Sequence, residues 1–335
     1  MQWKWKGPLL GGITQSLITN YLTDPYTFVL YYGLGLEETS RLNQNLMWGN
    51  LGHLGLEIAL ESKEPLATIL PEIKAAITEE AAKWPYINRG TVESVPRMLL
   101  LYNEEFKYSH NIETEVQFRI PHKTKNFEVN LMGKVDGQDK DKHLGRRIDD
   151  LLVEHKCKDS CDFQLFRKEV KEDMQVNIYC YATEIYNVIY DNILIPESQW
   201  NCPQPQAQER TPSWIERIYN THRGPKYPIS KNKFDWLDQY KFILLPEEVD
   251  LYMKATVNPL IDQICMLYDY CSSDSFDPFN PECYNHLYYK KPLRLFDPSR
   301  TTKFQRSYWN HLTGQIPVEG LVQTTNLFKE LKGEG

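Results

Sequence analysis

Leu151-Leu152-Val153-Glu154-His155-Lys156, read with the upstream Gly133-Lys134-Val135-Asp136-Gly137, decides the fold of this chain. A run of apolar β-formers leads straight into an acid, a histidine and a base, and Asp136 stands near the end of its own β-rich run. Buried strands seldom carry two charges without a partner or a metal. Side chains alternate along a strand, so Glu154 and Lys156 share one face while the His155 imidazole points to the other. Adjacent strands would bring Asp136 and Glu154 close enough for their like charges to be costly without a cation. A hard divalent ion with oxygen ligands removes that cost. The Lys156 ammonium would then stand beside it, placed to orient or deprotonate a water and to offset charge on a phosphate. The His155 backbone carbonyl offers a further ligand. Taken alone, Glu-x-Lys also fits a surface ion pair beside a turn at Asp136.

Working outward, Ile112 to Ile120, Phe127 to Asp136 and Ile148 to Lys156 are short β-forming runs separated by polar segments, and are expected to form a meander. Residues 167 to 187 return to helical spacing, with Val170, Met174, Ile178, Tyr181 and Ile185 on one face, and Val188 to Ile195 reads as a further strand. Toward the N-terminus, residues 13 to 31 read as a helix, a turn near Asp24-Pro25 and a second helix start, and Asn50 to Glu61 is helical. Pro71 to Lys83 and Pro96 to Tyr108 read as two more helices, each with proline near its start. Pro196 to Lys233 is expected to be a long loop or insertion, Pro246 to Tyr270 an amphipathic helix, and Phe276 to Ser299 loop-like.

With 335 residues the chain is long enough for one large core. The expectation is a single α/β domain over residues 1–335: a helical N-terminal region over 1–110, a core over 111–195, and an insertion with C-terminal extension over 196–335. No run of about 18 uncharged apolar residues is present, and Met1 to Leu10 lacks a secretory h-region, so a cytoplasmic protein with no membrane partner is expected. Seven irregularly spaced cysteines fit reduced thiols. A net charge of −7 leaves no global basic field for nucleic acid. Lys290, Lys291, Arg294, Arg300, Lys303 and Arg306 nonetheless concentrate positive charge near the C-terminus, where aromatic residues from Tyr284 to Trp309 would offer stacking platforms for single-stranded DNA.

The ordered motifs resemble the RecB-like branch of the PD-(D/E)XK nuclease superfamily over roughly residues 14 to 290. Gly49-Asn50-Leu51-Gly52-His53 resembles its Gly-x-x-x-His motif, Gly133 to Gly137 its Gly-x-x-Asp-Gly motif and Glu154 to Lys156 its Glu-x-Lys motif. Gln175-Val176-Asn177-Ile178-Tyr179 resembles its Gln-x-x-x-Tyr motif, whose four-residue step keeps both side chains on one helical face. Ser16 to Pro25 resembles its N-terminal pattern, with Asp24 where a cysteine is usual.

The resemblance implies a restriction-endonuclease-like core, a central mixed sheet flanked by helices. It implies Mg²⁺ or Mn²⁺ held by His53, Asp136, Glu154 and the His155 carbonyl, with Asp136, Glu154, Lys156, Gln175 and Tyr179 as catalytic residues. Glu57, one turn beyond His53, would support it or face solvent. Relatives often hold an iron–sulfur cluster, but no cysteine precedes Cys157, and Cys265, Cys271 and Cys283 are spaced unlike a cluster motif, so none is expected. Pro278 to Cys283 resembles a remnant of that motif. The implied activity is an exonuclease acting on DNA in recombination, repair or phage DNA metabolism. Without a phosphate-loop motif, any helicase or recombination partner would be a separate chain. The rival readings are a catalytically silent DNA-binding or assembly subunit and a metal-dependent hydrolase of another phosphodiester.

Overall fold

The structure, a computed structural model, describes residues 11–23, 25–33, 36–38, 44–62, 64–84, 87, 89–105, 112–139, 150–158, 163–194, 213, 237–273, 275 and 321–323. It divides into two compact units, one made of Met1–Arg41, Phe118–Gly133 and Asp250–Gly335, the other of Leu42–Gln117 and Lys134–Val249.

In chain order, β1 (Ile13–Thr14) leads into α1 (Gln15–Thr23), α2 (Pro25–Phe28), a π turn (Val29–Gly33) and β2 (Leu36–Glu38). Three helices follow: α3 (Gln44–Glu61), α4 (Leu66–Ala82) and α5 (Arg89–Glu105). The strands β3 (Glu113–Lys123), β4 (Glu128–Asp139) and β5 (Leu151–Lys158) come next, then α6 (Phe163–Glu169), a 3₁₀ turn (Val170–Glu172) and α7 (Met174–Thr183). The chain continues through β6 (Asn187–Leu194), β7 (Leu237–Ile243), α8 (Pro246–Tyr252), a π turn (Met253–Val257), α9 (Asn258–Cys271) and β8 (Leu321–Gln323). A mixed sheet runs in the order β1-β4-β5-β6-β7, with β3 also on β4, and helices flank it. The expected order of helices, three strands, helix and strand is observed within this larger set.

In the second unit, β4 and β5 are antiparallel, β5 and β6 parallel, and β6 and β7 antiparallel. Parallel strands need a long crossover, and α6 and α7 supply it. The core of this unit lies between α3, α4, α5 and the sheet. On α4 the buried Ile69, Ile73 and Ile77 recur at four-residue steps and belong to one apolar cluster with Leu51 and Leu56 of α3, Met98 and Tyr102 of α5, and Ile193 and Leu237 of the sheet. Each fully buried isoleucine contributes roughly 1.5–3 kcal/mol, so this stripe is a main anchor of the helical layer. In the first unit β1 lies parallel to β4 at Leu131 and Met132. His122 pairs with Asp262 at 2.9 Å, and the rings of Phe127 and Tyr268 meet edge-on.

Four helical expectations are corrected. The fourth and fifth helices begin at Leu66 and Arg89, so Pro71 and Pro96 lie inside them and do not start them. For the fourth, Pro65 takes the N-cap place, and its carbonyl accepts the turn bond from Thr68. The expected single helix over 167 to 187 is two, because Asp173 is extended (φ −64°, ψ 124°) and its carboxylate accepts from the Val176 N–H. That break shifts the helical phase: Val176, Ile178, Tyr179 and Cys180 are buried and Tyr181 is exposed. The helix over 246 to 270 is interrupted by a π turn at Met253–Val257. The strands β1, β2, β7 and β8 add to those expected from the sequence. The loop expectation for Phe276 to Ser299, the basic and aromatic C-terminal stretch and nearly all of Pro196 to Lys233 lie outside the described residues.

An N-cap aspartate that satisfies one orphan helical N–H is worth about 1 kcal/mol. Asp173→Ala should therefore lower stability by about that amount in a urea titration, whereas Asp173→Asn should retain most of it. Equal losses in both variants would show that the cap is not what holds the start of α7.

Candidate active site

Antiparallel pairing sets Gly137 opposite Val153, and the next step along each strand carries Asp136 and Glu154. A side chain at Gly137 would put its Cβ 2.9 Å from Ile112 Cγ2 and 3.3 Å from Val153 Cβ, so glycine permits this close approach. Asp136 Oδ2 accepts from the His155 N–H at 2.8 Å. Glu154 is fully buried: Lys156 Nζ donates to its Oε1, and no donor among the described residues reaches Oε2. Lys156 Nζ also donates to Gln175 Oε1 at 2.8 Å, and Gln175 Nε2 donates to the Tyr179 hydroxyl at 2.8 Å. The four-residue step on α7 thus connects the helix to the strand through a single chain of hydrogen bonds.

His53, on α3, brings Nδ1 to 3.6 Å from Asp136 Oδ1. Beside them stands Glu115 of β3, a residue that the motifs do not single out. His53, Glu115 and Asp136 each offer a ligand atom, and these atoms lie within 4.8 Å of one another. Glu115 has φ +51°, a left-handed conformation unusual for a non-glycine residue in a strand. Its surroundings hold it there: Lys134 Nζ pairs with Glu115 at 3.0 Å, Thr114 Oγ1 donates to Glu61 Oε1 at 2.9 Å, and Gln138 Nε2 donates to Glu113 Oε2 at 3.1 Å. Strained backbone of this kind persists only where neighbours over-determine it, and it concentrates at functional sites. A one-residue irregularity in an otherwise regular β-run leaves no periodic signal. The only sequence sign of Glu115 is an acid within an alternating strand.

Burial is the largest influence on both central carboxyls. It raises Asp136 to about 6, against the pull of Lys156 and the His155 N–H, and raises Glu154 to about 8, reinforced by the charge of Asp136. Burial pulls the Lys156 ammonium down, but Glu154 and Asp136 outweigh it and hold the group above its ordinary value, so it stays protonated. Burial, aided by Lys156, lowers His53, which is therefore a neutral imidazole with a lone pair to offer. Glu57 is raised by burial and by the charges of Glu115 and Glu61.

The donor set fits a divalent ion. Three converging ligand groups, a buried Glu154 oxygen without a donor among the described residues, and carboxyls that burial keeps from ionising are what a cation would satisfy. Glu154 is not one of the three converging donors, and its Oε1 is engaged by Lys156.

The opposite face of β5 is structural. As alternation requires, the His155 ring points away from Glu154 and Lys156, with Nδ1 at 3.3 Å from Asp191 Oδ2. Tyr102 donates to the same oxygen at 2.7 Å, and Gln239 Nε2 donates to Asp191 Oδ1 at 2.9 Å. Burial pushes His155 down to about 3 and Asp191 up to about 8, which describes a neutral pair. Cys157, Cys180, Cys265 and Cys271 are free thiols, and Cys283 lies outside the described residues.

A model of the PD-(D/E)XK nuclease superfamily matches residues 13–186. No curated protein sequence matches the chain. Among solved structures, SSO0001 is 16% identical, with 86% of this chain and 97% of that chain covered at a TM-score of 0.31. A phage related exonuclease from Haemophilus somnus 129PT is 12% identical, with 59% of this chain and 83% of that chain covered at a TM-score of 0.30.

The electrostatics has a consequence for the metal-free protein. A carboxyl whose native pKa lies above its unfolded value costs stability when ionised; the cost is full above the native pKa, shrinks as pH falls below it, and is gone only below the unfolded value. Asp136→Asn should therefore stabilise the metal-free protein at pH 8 by roughly 2 kcal/mol. The gain should shrink as pH falls through about 6, where the wild-type carboxyl takes up its proton. Thermal melts of both proteins from pH 5 to pH 8 check this, and a variant that melts below wild type at pH 8 contradicts it.

Proposed function

The chain belongs to the PD-(D/E)XK nuclease superfamily, and from that premise we propose that it is a divalent-metal-dependent deoxyribonuclease, an exonuclease of the RecB-like type. The observation that carries this reading is the convergence of His53, Glu115 and Asp136 beside Glu154, whose buried Oε2 has no donor among the described residues, with Lys156 anchored at the same place. A bound Mg²⁺ or Mn²⁺ would supply Lewis-acid polarisation of the phosphodiester and a more acidic water. His53, Glu115 and Asp136 would hold it, with Glu154 and the His155 carbonyl completing the shell. The imidazole favours Mn²⁺ more than an all-oxygen site does.

The chain's own residues do the rest. Lys156 is protonated in the metal-free site, so its contribution is a fixed positive charge that holds a water or offsets charge on the phosphate. Gln175, held by Tyr179, keeps that ammonium from collapsing wholly onto Glu154. Glu154 both pairs with the lysine and raises its affinity for the proton. DNA is the proposed partner, in the cytoplasm of a bacterial cell or an infected host, with recombination, repair or phage DNA metabolism as the setting and any helicase or recombination partner on a separate chain. These finer assignments rest on the motif resemblance.

Digestion of end-labelled linear and closed circular DNA with Mg²⁺, Mn²⁺ or EDTA tests the reading. Metal-dependent loss of linear DNA alone is expected. Cleavage of the circle would make the protein an endonuclease, binding without cleavage a silent subunit, and cleavage only of small diesters another phosphodiesterase.

Asp136→Ala and Glu154→Ala should each abolish cleavage and leave the fold intact. A Glu154→Ala protein that cuts at the wild-type rate would remove Glu154 from the mechanism. Lys156→Met should cut slower by roughly two orders of magnitude or more while still taking up Mn²⁺ in a calorimetric titration. Loss of Mn²⁺ binding in that variant would mean that the lysine organises the ligands and not the chemistry.

A further inference from the structure

We propose that Gly52 and Cys157 form a fitted seat that sets where His53 stands over the carboxylates, which makes both of them positioning residues for the metal site. The inference rests on the metal-nuclease reading above. Gly52 immediately precedes His53 on α3, and Cys157 immediately follows Lys156 on β5. A Cβ built on Gly52 would lie 2.6 Å from Cys157 Sγ, 3.4 Å from Cys157 Cβ and 3.5 Å from Trp48 Cζ3. The helix therefore rests its bare backbone on the cysteine sulfur, one residue from the site on each side of the contact.

The neighbours leave little room for adjustment. Trp48 is almost wholly buried, and its Nε1 donates to Ser94 Oγ at 3.1 Å, which fixes the ring on the far side of the added methyl. Carbon and sulfur need well over 3 Å of separation, so a methyl at 52 displaces either the sulfur or the helix by about 1 Å. Misplacement on that scale at a reacting centre costs about 100-fold in rate.

The other glycines on α3 differ. A Cβ at Gly49 would meet only the Cys157 carbonyl oxygen at 3.9 Å, an ordinary contact. At Gly55 it would meet Leu99 Cδ1 at 2.4 Å and Ile73 Cγ2 and Ile77 Cδ1 at 3.5 Å, contacts with the helical layer and not with the strand that carries the site. The glycine that begins the Gly-x-x-x-His motif is thus not the one the packing requires. Against the strand that carries the site the steric demand falls on Gly52, and Cys157 is its complement: with the sulfur removed, the nearest atom to a methyl at 52 is the residue-157 Cβ at 3.4 Å, which is tolerable.

The test is Mn²⁺ titration by calorimetry, single-turnover DNA cleavage and thermal melting on wild type, Gly52→Ala, Cys157→Ala, the double variant and Gly49→Ala. Gly52→Ala should weaken Mn²⁺ binding at least tenfold and slow cleavage about 100-fold. Cys157→Ala alone should lose less, Gly49→Ala should behave as wild type, and the double variant should recover to within about threefold of wild type. Unchanged Mn²⁺ affinity in Gly52→Ala, or a double variant no better than Gly52→Ala, overturns the seat. Should Gly52→Ala fail to fold, a double variant that folds and binds Mn²⁺ supports it, and one that also fails to fold overturns it. A wild-type protein that takes up no Mn²⁺ would refute the metal reading itself, an outcome distinguished by involving no substitution.

Discussion

Asp136 and Glu154 stand side by side on neighbouring strands, with Glu154 wholly removed from water, and the site is built around that concentration of negative charge. Carboxylates in a desolvated place resist ionisation, so burial raises both; the charge of Asp136 raises Glu154 further, and that of Glu115 adds to Asp136. The protein answers with donors. Lys156 reaches Glu154, and the His155 N–H reaches Asp136. Among the described residues, Glu154 Oε2 is still left without a donor. That unpartnered oxygen, beside a neutral imidazole and a third acid, is the physical reason to place a cation there.

The strand carrying these groups works on both faces. Glu154 and Lys156 present the chemistry, while the alternating His155 and Cys157 hold the strand to what packs behind it. His155 meets Asp191, which also accepts from Tyr102 and Gln239, so a buried polar group that would be costly alone is satisfied by several partners. Cys157 meets the backbone of Gly52. Helices α3 and α5 are thereby referenced to β5, and a rigid backing of this kind lets the chemical face keep its geometry.

Stability is given up at the same place. Repelling carboxyls and a left-handed Glu115 are both local costs, and the apolar stripe of Ile69, Ile73 and Ile77 in the helical layer offsets them. Proteins commonly accept such costs where a ligand will later relieve them. The burial of Tyr179 and the cap at Asp173 extend the same logic to α7, because Gln175 can hold the lysine only if its helix starts at the right residue and stays against the sheet.

Alternation and helical spacing are properties of neighbouring residues, and what depends on them was legible in the sequence. β4, β5 and β6 follow from their β-formers, Glu154 and Lys156 share a face by period two, and Gln175 reaches Tyr179 by a step of one helical turn. Contacts between distant segments carry no such periodic mark. Glu115 joins the site only because β3 takes a left-handed step at one residue. The phase of α7 depends on a break at Asp173 that a continuous apolar pattern conceals. The sequence by itself determined which side chains share a strand face or a helix face, because local geometry repeats. Only the tertiary structure decided that Glu115 stands with His53 and Asp136, that Asp191 backs His155, and that Gly52 meets Cys157, because those meetings depend on how separate elements pack in space.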